Sequence, residues 1–248
     1  MLSVDLNCDM GEGYPNDTAL LDYVSSVSIA CGYHAGDETT MRTTVQNAIK
    51  KGVAIGAHPS YPDRDNFGRS EMSLSSNEIR EMVIDQILKL QEICSEEGGT
   101  LTHVKPHGAL YNQSAKDAGI ANAIANAVCS IDTKLRLFGL SGSTSIEKAK
   151  MIGLRTVSEA FADRTYRSDG SLTSRTQSNA LIRDTDTASE QALRMIAPGN
   201  VVATDGKIIA IDADTICIHG DGEHALEFAA AIHKKLTENG VKIESVNG

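Results

Sequence analysis

Seven short runs rich in aliphatic and β-branched residues recur along the chain, at Leu2–Asn7, Val27–Cys31, Val53–Ala57, Leu101–Lys105, Leu135–Leu140, Leu154–Glu159 and Thr215–His219. Segments with apolar residues at helical spacing separate most of them, and this β/α alternation predicts a mostly parallel sheet. The strongest helical pattern runs from Ser75 to Glu97, with Ile79, Met82, Val83, Ile87, Leu90 and Cys94 on one stripe. Ser75 and Glu78 fit a capping box, and Gly98-Gly99 stops the helix. A second helix is predicted over Glu38–Lys51 with Gly52 as its stop, and a last one over Glu223–Asn239 before Gly240. Ser168 to Asn200 is the least regular stretch, a loop around Ser171–Arg175 followed by a helix over Thr187–Ala197 that Pro198-Gly199 ends. Val201–Thr204 and Lys207–Ile211 flank the turn pair Asp205-Gly206 and predict a small hairpin within 200–211. No linker or repeat marks a boundary, so residues 1–248 are expected to form one β/α barrel domain.

Side chains alternate across a strand, so residues of equal parity share a face. Val4 and Leu6 oppose Asp5, Asn7 and Asp9; Ile55 and Ala57 oppose Gly56 and His58; Val104 opposes His103 and Lys105; Ile216 and Ile218 oppose Cys217 and His219. Aliphatic residues therefore face the helices, and small or polar ones face inward. The polar members lie at the carboxyl ends of the strands, where barrels and open α/β sheets place their sites.

Composition narrows the function classes. Hydrophobic residues make up 41% and charged residues 23%, enough apolar surface for a substantial core. A formal charge of -10 disfavours nucleic-acid binding, and no apolar run approaches the roughly 20 residues that span a bilayer. The first strand begins at the N-terminus without signal-peptide regions, which leads us to expect a cytoplasmic protein. Five scattered cysteines without Cys-x-x-Cys spacing support buried thiols, not a disulfide framework or a zinc ribbon.

The titratable and polar residues at the strand exits are Asp5, Asn7, Asp9 and Glu12; His34 and Asp37; His58 and Asp63; Lys105, His107 and Tyr111; Glu159, Asp163, Arg164 and Tyr166; His219 and Asp221. Asp37 and Asp221 each precede a helix and also suit N-caps. Burying so many polar groups without a shared purpose would carry a large desolvation cost, so a common site is expected. Carboxylates, imidazoles and a lysine around one pocket suit general acid/base hydrolysis of a carbonyl compound. A Gly-x-Ser-x-Gly elbow, a His-Glu-x-x-His motif and a phosphate-binding Gly-x-x-x-x-Gly-Lys-Ser/Thr loop are all absent. By location, Asp5 or Asp9 with His107 would handle protons, Lys105 would stabilise negative charge, Glu159 would orient Lys105 or Arg164, and Arg164 would hold a substrate carboxylate. His103 lies deeper on the same face as Lys105 and reads as a supporting residue.

Six ordered blocks carry a resemblance: Asp5-Leu-Asn-Cys-Asp-Met-Gly-Glu12, Ala30-Cys-Gly-Tyr-His-Ala-Gly-Asp37, Gly56-Ala-His-Pro-Ser-Tyr-Pro-Asp63, His103-Val-Lys-Pro-His-Gly-Ala-Leu-Tyr-Asn112, Glu159-Ala-Phe-Ala-Asp-Arg-Thr-Tyr166 and Ile216-Cys-Ile-His-Gly-Asp221. Together they resemble the signature blocks of the family of 5-oxoprolinase A subunits, also called the lactam-utilisation family. The resemblance implies an irregular seven-stranded β/α barrel like that of the polysaccharide deacetylases. It also implies ATP-dependent opening of 5-oxo-L-proline to L-glutamate, performed with two partner subunits, in line with the missing phosphate loop. On this basis the catalytic set is Asp5, Asp9, Lys105, His107 and Glu159. The substrate-binding set is Asn7, His34, His58, Arg69, Tyr111, Asp163, Arg164, Tyr166, His219 and Asp221. The chain departs from the family pattern where Ser70 follows Arg69, so only Arg69 is carried over, and where Leu172-Thr173-Ser174 precedes Arg175. Two alternatives stand beside this: a metal-dependent amide or N-acetyl hydrolase acting alone, with Asp9, His34 and His58 as candidate ligands, or a non-catalytic protein that binds a lactam for its partners. Both a divalent metal and a homo-oligomer are compatible with the sequence.

Overall fold

The computed structural model describes residues 2–218 and 225–246. In chain order its strands are β1 (Ser3–Met10), β2 (Ser26–Ala30), β3 (Ala54–His58), β4 (Leu101–Val104), β5 (Arg136–Leu140), β6 (Arg155–Phe161), β7 (Asn200–Val202), β8 (Ile208–Ala210), β9 (Thr215–Ile218) and β10 (Lys242–Ile243). The helices are α1 (Asp17–Leu20), α2 (Glu38–Lys51), α3 (Ser76–Glu96), α4 (Gly108–Ser114), α5 (Ala118–Ile131), α6 (Thr144–Met151), α7 (Thr185–Ile196) and α8 (Ala225–Glu238). Among the described residues, seven parallel strands run in the order β1-β2-β3-β4-β5-β6-β9, and the β9–β1 pairing closes them into a barrel. The expected seven-stranded fold is therefore present. β10 adds a short parallel strand outside the ring, against β1.

Alternation along the strands builds the two sides of the wall. Val4, Leu6, Cys8 and Met10 of β1 pack outward into one apolar core with Val27, Ile29, Ile55, Ala57, Ile216 and Ile218. Ile79, Val83, Ile87 and Leu90 of α3 join that core, so the helical stripe meets the aliphatic face of the strands. Asp37 caps α2 by accepting from Thr40 N–H at 2.8 Å, and Gly52 ends it in the left-handed conformation at φ 69°. Ser75 and Glu78 form both halves of the capping box of α3, an arrangement worth about 0.5–2 kcal/mol. The hairpin is present as the antiparallel pair β7–β8.

Some boundaries move, each for a local reason. β1 runs to Met10, three residues past its apolar opening, because Cys8 to Met10 find partners in Val27 to Ile29 of β2. α7 begins at Thr185 because Asp184 caps it, accepting from Thr187 N–H. The predicted start of the last helix, at Glu223, lies outside the described residues.

The ring is irregular at β3–β4, where the register shifts between Ile55 and Gly56. His103 fills the space above Gly56: a Cβ on Gly56 would lie 2.1 Å from His103 Nε2. Fully buried, His103 stacks on Phe138 at 4.2 Å, as befits a supporting residue. All five cysteines are free, and no helix among the described residues is long and apolar enough to cross a membrane.

Candidate active site at the carboxyl ends of the strands

Lys105, one step past β4, carries its ammonium group across the barrel interior. Its Nζ donates to Asn7 Oδ1 and Glu159 Oε1, each at 2.8 Å, and is ion-paired with Asp9 Oδ1 at 2.8 Å. Cys217 Sγ follows at 3.2 Å. Lys105 is 2% exposed and Glu159 is fully enclosed. Burial alone would push the ammonium towards neutrality, but the negative charges of Asp9 and Glu159 outweigh it and hold Lys105 well above its ordinary range. Burial likewise opposes ionisation of Asp9, and His58 and Lys105 reverse the balance, keeping Asp9 well below the usual carboxylate range.

Asn7 links this centre to a deeper carboxyl group. Its Nδ2 donates to Glu159 Oε1 at 3.0 Å and to Thr215 Oγ1 at 2.8 Å. Thr215 in turn donates to Asp5 Oδ2 at 2.5 Å, and Ser25 and Ser26 donate to the same carboxylate at 2.6 and 2.7 Å. Burial raises the pKa of Asp5, and the three hydroxyls only partly offset it. Asp5 thus sits one layer below Lys105, joined to it through Thr215 and Asn7.

Beside the lysine, three imidazoles converge. His34 and His107 stack with ring centroids 3.8 Å apart, and His58 meets both edge-on. His107 Nδ1 lies 2.8 Å from His58 Nε2, while Glu12 Oε1 lies 2.9 Å from His34 Nε2. Glu12, His34, His58 and His107 each place one ligand atom within 4.8 Å of the others, a set that can hold a metal ion. Asp9 borders it, its Oδ2 3.3 Å from His58 Nε2. Burial, reinforced by the neighbouring imidazoles, depresses the basicity of His34 and brings the pKa of His107 down to about 3.

The loop after β3 seals this cluster. Asp63 accepts from Ser70 N–H and from the Asn66 amide, and Phe67 adopts a left-handed conformation at φ 57°. That strained conformation accompanies a Phe67 carbonyl 2.9 Å from His107 Nε2. Gly68 is needed here: a Cβ would sit 2.9 Å from His34 Cβ and 3.0 Å from His107 Cδ2. Arg69 lies over the Phe67 ring, 5.0 Å from its centroid.

The remaining expected residues occupy several environments. Tyr111 packs with Leu140, Phe161 and Cys217 in a small apolar cluster, its hydroxyl facing Glu159. Arg164 is buried, donating to Thr173 O at 2.7 Å and Ala180 O at 3.3 Å, so it ties down the 165–181 loop. The Tyr166 hydroxyl accepts from Phe161 N–H at 2.7 Å, and Asp163 O accepts from Ile182 N–H. His219 and Asp221 lie outside the described residues. Glu12, which sequence reasoning assigned no role, joins the imidazoles, as does His107, which was expected to handle protons. Of the expected Asp9, His34 and His58 ligand set, the two imidazoles belong to this cluster and Asp9 does not: Glu12 and His107 take its place, because the Asp9 carboxylate is drawn to Lys105. The signal available was that each falls within a separate polar block at a strand exit.

The chain is similar along its whole length to known proteins. A protein of Tolumonas auensis, named as the A subunit of 5-oxoprolinase, is 50% identical over 251 residues, covering 99% of this chain and 100% of that one. The crystal structure of the lactam utilization protein from Thermus thermophilus superposes with a TM-score of 0.94 at 42% identity, covering 98% of this chain and 99% of that one. The polysaccharide deacetylase Bc1974 from Bacillus cereus shares the fold alone, at 13% identity and a TM-score of 0.54 over 99% of this chain and 92% of that one. The LamB/YcsF family pattern matches residues 4–248, and the chain belongs to the LamB/YcsF family.

Proposed function

We propose that this chain is the ring-opening subunit of an ATP-dependent 5-oxoprolinase, converting 5-oxo-L-proline to L-glutamate together with two partner subunits. Full-length likeness at about half identity to relatives named as the A subunit of 5-oxoprolinase carries this reading. The unstrained lactam resists simple hydrolysis, so the partners would activate it with ATP and this subunit would complete the addition of water and cleavage of the C–N bond. The catalytic set is Asp5, Asp9, Lys105, His107 and Glu159. Lys105, held cationic between Asp9 and Glu159, would stabilise negative charge on the lactam oxygen or on a phosphorylated intermediate. Asp9, ionised at neutral pH and the more exposed of the two carboxylates on Lys105, would take the proton of the attacking water, with His107 as its partner. Arg164 retains guanidinium donors beyond its two carbonyl partners for the substrate carboxylate. Asn7, His34, His58, Arg69, Tyr111, Asp163 and Tyr166 would complete the walls, with His219 and Asp221.

The purified chain, supplied with ATP, is to be assayed for glutamate release from 5-oxoproline with and without the partner subunits. Turnover only in the full complex, abolished by Asp9→Asn, is expected. Inertness of the full complex towards 5-oxoproline would reject the substrate. The converging imidazoles favour one rival, a metal-dependent amide or N-acetyl hydrolase acting alone. Its mark would be amide hydrolysis by the isolated chain without ATP.

A further inference from the structure

The three imidazoles are fixed by what lies behind them. His58 Nδ1 is 2.7 Å from Lys105 O, and His107 Nε2 is 2.9 Å from Phe67 O; a carbonyl only accepts, so both nitrogens carry the proton. His34 Nδ1 is 2.9 Å from Ser60 Oγ, and Ser60 spends its own proton on Tyr61 O at 3.0 Å, so His34 Nδ1 is protonated as well. Each ring therefore turns its other nitrogen towards the cluster. Those nitrogens converge: His58 Nε2 meets His107 Nδ1 at 2.8 Å and Asp9 Oδ2 at 3.3 Å, and His34 Nε2 meets Glu12 Oε1 at 2.9 Å. Glu12 Oε1 is a further 3.5 Å from His107 Nδ1 and 3.9 Å from His58 Nε2. Ligand atoms gathered this closely form a set that one cation can bridge.

One cation satisfies all four atoms at once. Ligands about 2.1 Å from a tetrahedral ion lie roughly 3.4 Å apart; four of the pairs here are separated by 2.8 to 3.9 Å, and all lie within 4.8 Å of one another. Three nitrogens with one carboxylate match a first-row transition cation such as Zn²⁺, Fe²⁺ or Mn²⁺, whereas Ca²⁺ and Mg²⁺ prefer oxygen. The backing groups on Lys105, Phe67 and Ser60 are the outer-shell partners such ligands use.

We infer that His34 Nε2, His58 Nε2, His107 Nδ1 and Glu12 Oε1 form a binding site for one divalent transition-metal ion, with Asp9 outside the ligand set and committed to Lys105. The site requires neither 5-oxoproline nor the partner subunits. Its test is binding: the full chain is stripped with a chelator and titrated with Zn²⁺ by calorimetry, metal content is measured by elemental mass spectrometry, and Co²⁺ loading is followed by visible absorption. One equivalent per chain is expected, with the absorption band of an imidazole-bound Co²⁺. Glu12→Gln should weaken Zn²⁺ binding at least tenfold and Ser60→Ala, which changes no ligand, roughly 10–100-fold. Asp37→Ala, at the cap of α2, should leave binding unchanged. Circular dichroism of each variant separates loss of metal from loss of fold, and Ser60→Ala decides the matter should a ligand variant fail to fold. Absence of tight binding in the wild-type chain, or wild-type affinity in both Glu12→Gln and Ser60→Ala, would overturn the assignment. Because no turnover is measured, failure here is distinct from failure of the 5-oxoprolinase reading.

Discussion

Replacing Lys105 by Met removes a charge at nearly constant volume and so isolates what the ammonium group does. Its partners, Asp9 Oδ1, Glu159 Oε1 and Asn7 Oδ1, all lie 2.8 Å away, in a region where Lys105 and Glu159 are almost or fully inaccessible to water. Two carboxylates would remain together without their cation. Removing one partner of a buried ion pair costs about 3–5 kcal/mol, because the other charge is left uncompensated. At about 2–4 °C per kcal/mol for a chain of this size, the midpoint of thermal unfolding should fall by roughly 6–20 °C. The structure thus makes Lys105→Met a stability variant as well as an activity variant. A double-mutant cycle separates the two effects. In the wild-type background Glu159→Gln weakens the Lys105 ion pair and should destabilise; after Lys105→Met the same change removes one of two repelling carboxylates and should stabilise. Urea unfolding of the four proteins measures the coupling, and glutamate release by the full complex should be abolished in both Lys105→Met proteins. A loss below about 1 kcal/mol, typical of an exposed pair, or a Glu159→Gln effect of the same sign in both backgrounds, would refute the buried triad as described.

Gly56→Ala should cost at least about 1–3 kcal/mol in chemical denaturation, because the added Cβ would lie 2.1 to 2.5 Å from ring atoms of a His103 pinned by Phe138 and Thr102. His103→Ala in the same chain should recover part of that loss, and a Gly56→Ala protein within about 0.5 kcal/mol of wild type would contradict the packing, on the scale of about 1 kcal/mol for ordinary substitutions. Asp5 gives a pH signature. Its folded-state pKa is raised, chiefly by burial, so the contribution it makes when protonated is fully present below the unfolded carboxylate range and lost as pH rises through the raised value. Asp5→Asn removes that dependence, so its stability relative to wild type should improve between about pH 4 and pH 7 in urea titrations. A relative loss on raising the pH would mean that the three hydroxyls outweigh burial.

What could be read from the sequence was what depends on period. Two-residue alternation in β1, β3, β4 and β9 placed Asp5, Asn7, Asp9, His58, His103, Lys105 and Cys217 on the inner face before any contact was known, because parity survives small errors in strand ends. Caps were legible for a similar reason: Ser75 with Glu78 and Asp37 with Thr40 act within one turn. Other features need distant register. Ser25, Ser26 and Thr215 are generic hydroxyls until β1 brings Asp5 between β2 and β9, elements far apart in the chain. The alanine-rich α5 showed no sharp polar boundary, and two-residue β10 is too short for a pattern. Phe67 gives no warning that it will adopt a left-handed conformation, since glycine is the residue that favours it.

The polar centre and the imidazole cluster are joined at one residue, and the junction is written in the sequence His58-Pro59. In the parallel pairing of β3 with the strand that follows, Lys105 N–H donates to Ala57 O at 2.9 Å and His107 N–H donates to Pro59 O at 2.8 Å. The bond that would come between them, from residue 59 back to Lys105 O, cannot form, because proline has no N–H. A buried carbonyl left over in this way needs a donor, and His58 Nδ1 supplies it at 2.7 Å. The missing ladder bond therefore fixes the orientation of His58 and turns its Nε2 towards His107 and Glu12. The same Lys105 holds Asp9 and Glu159 through its side chain. Its backbone orders the imidazoles while its ammonium orders the carboxylates, so substitution of the side chain strips charge from the second system and leaves the anchor of the first in place.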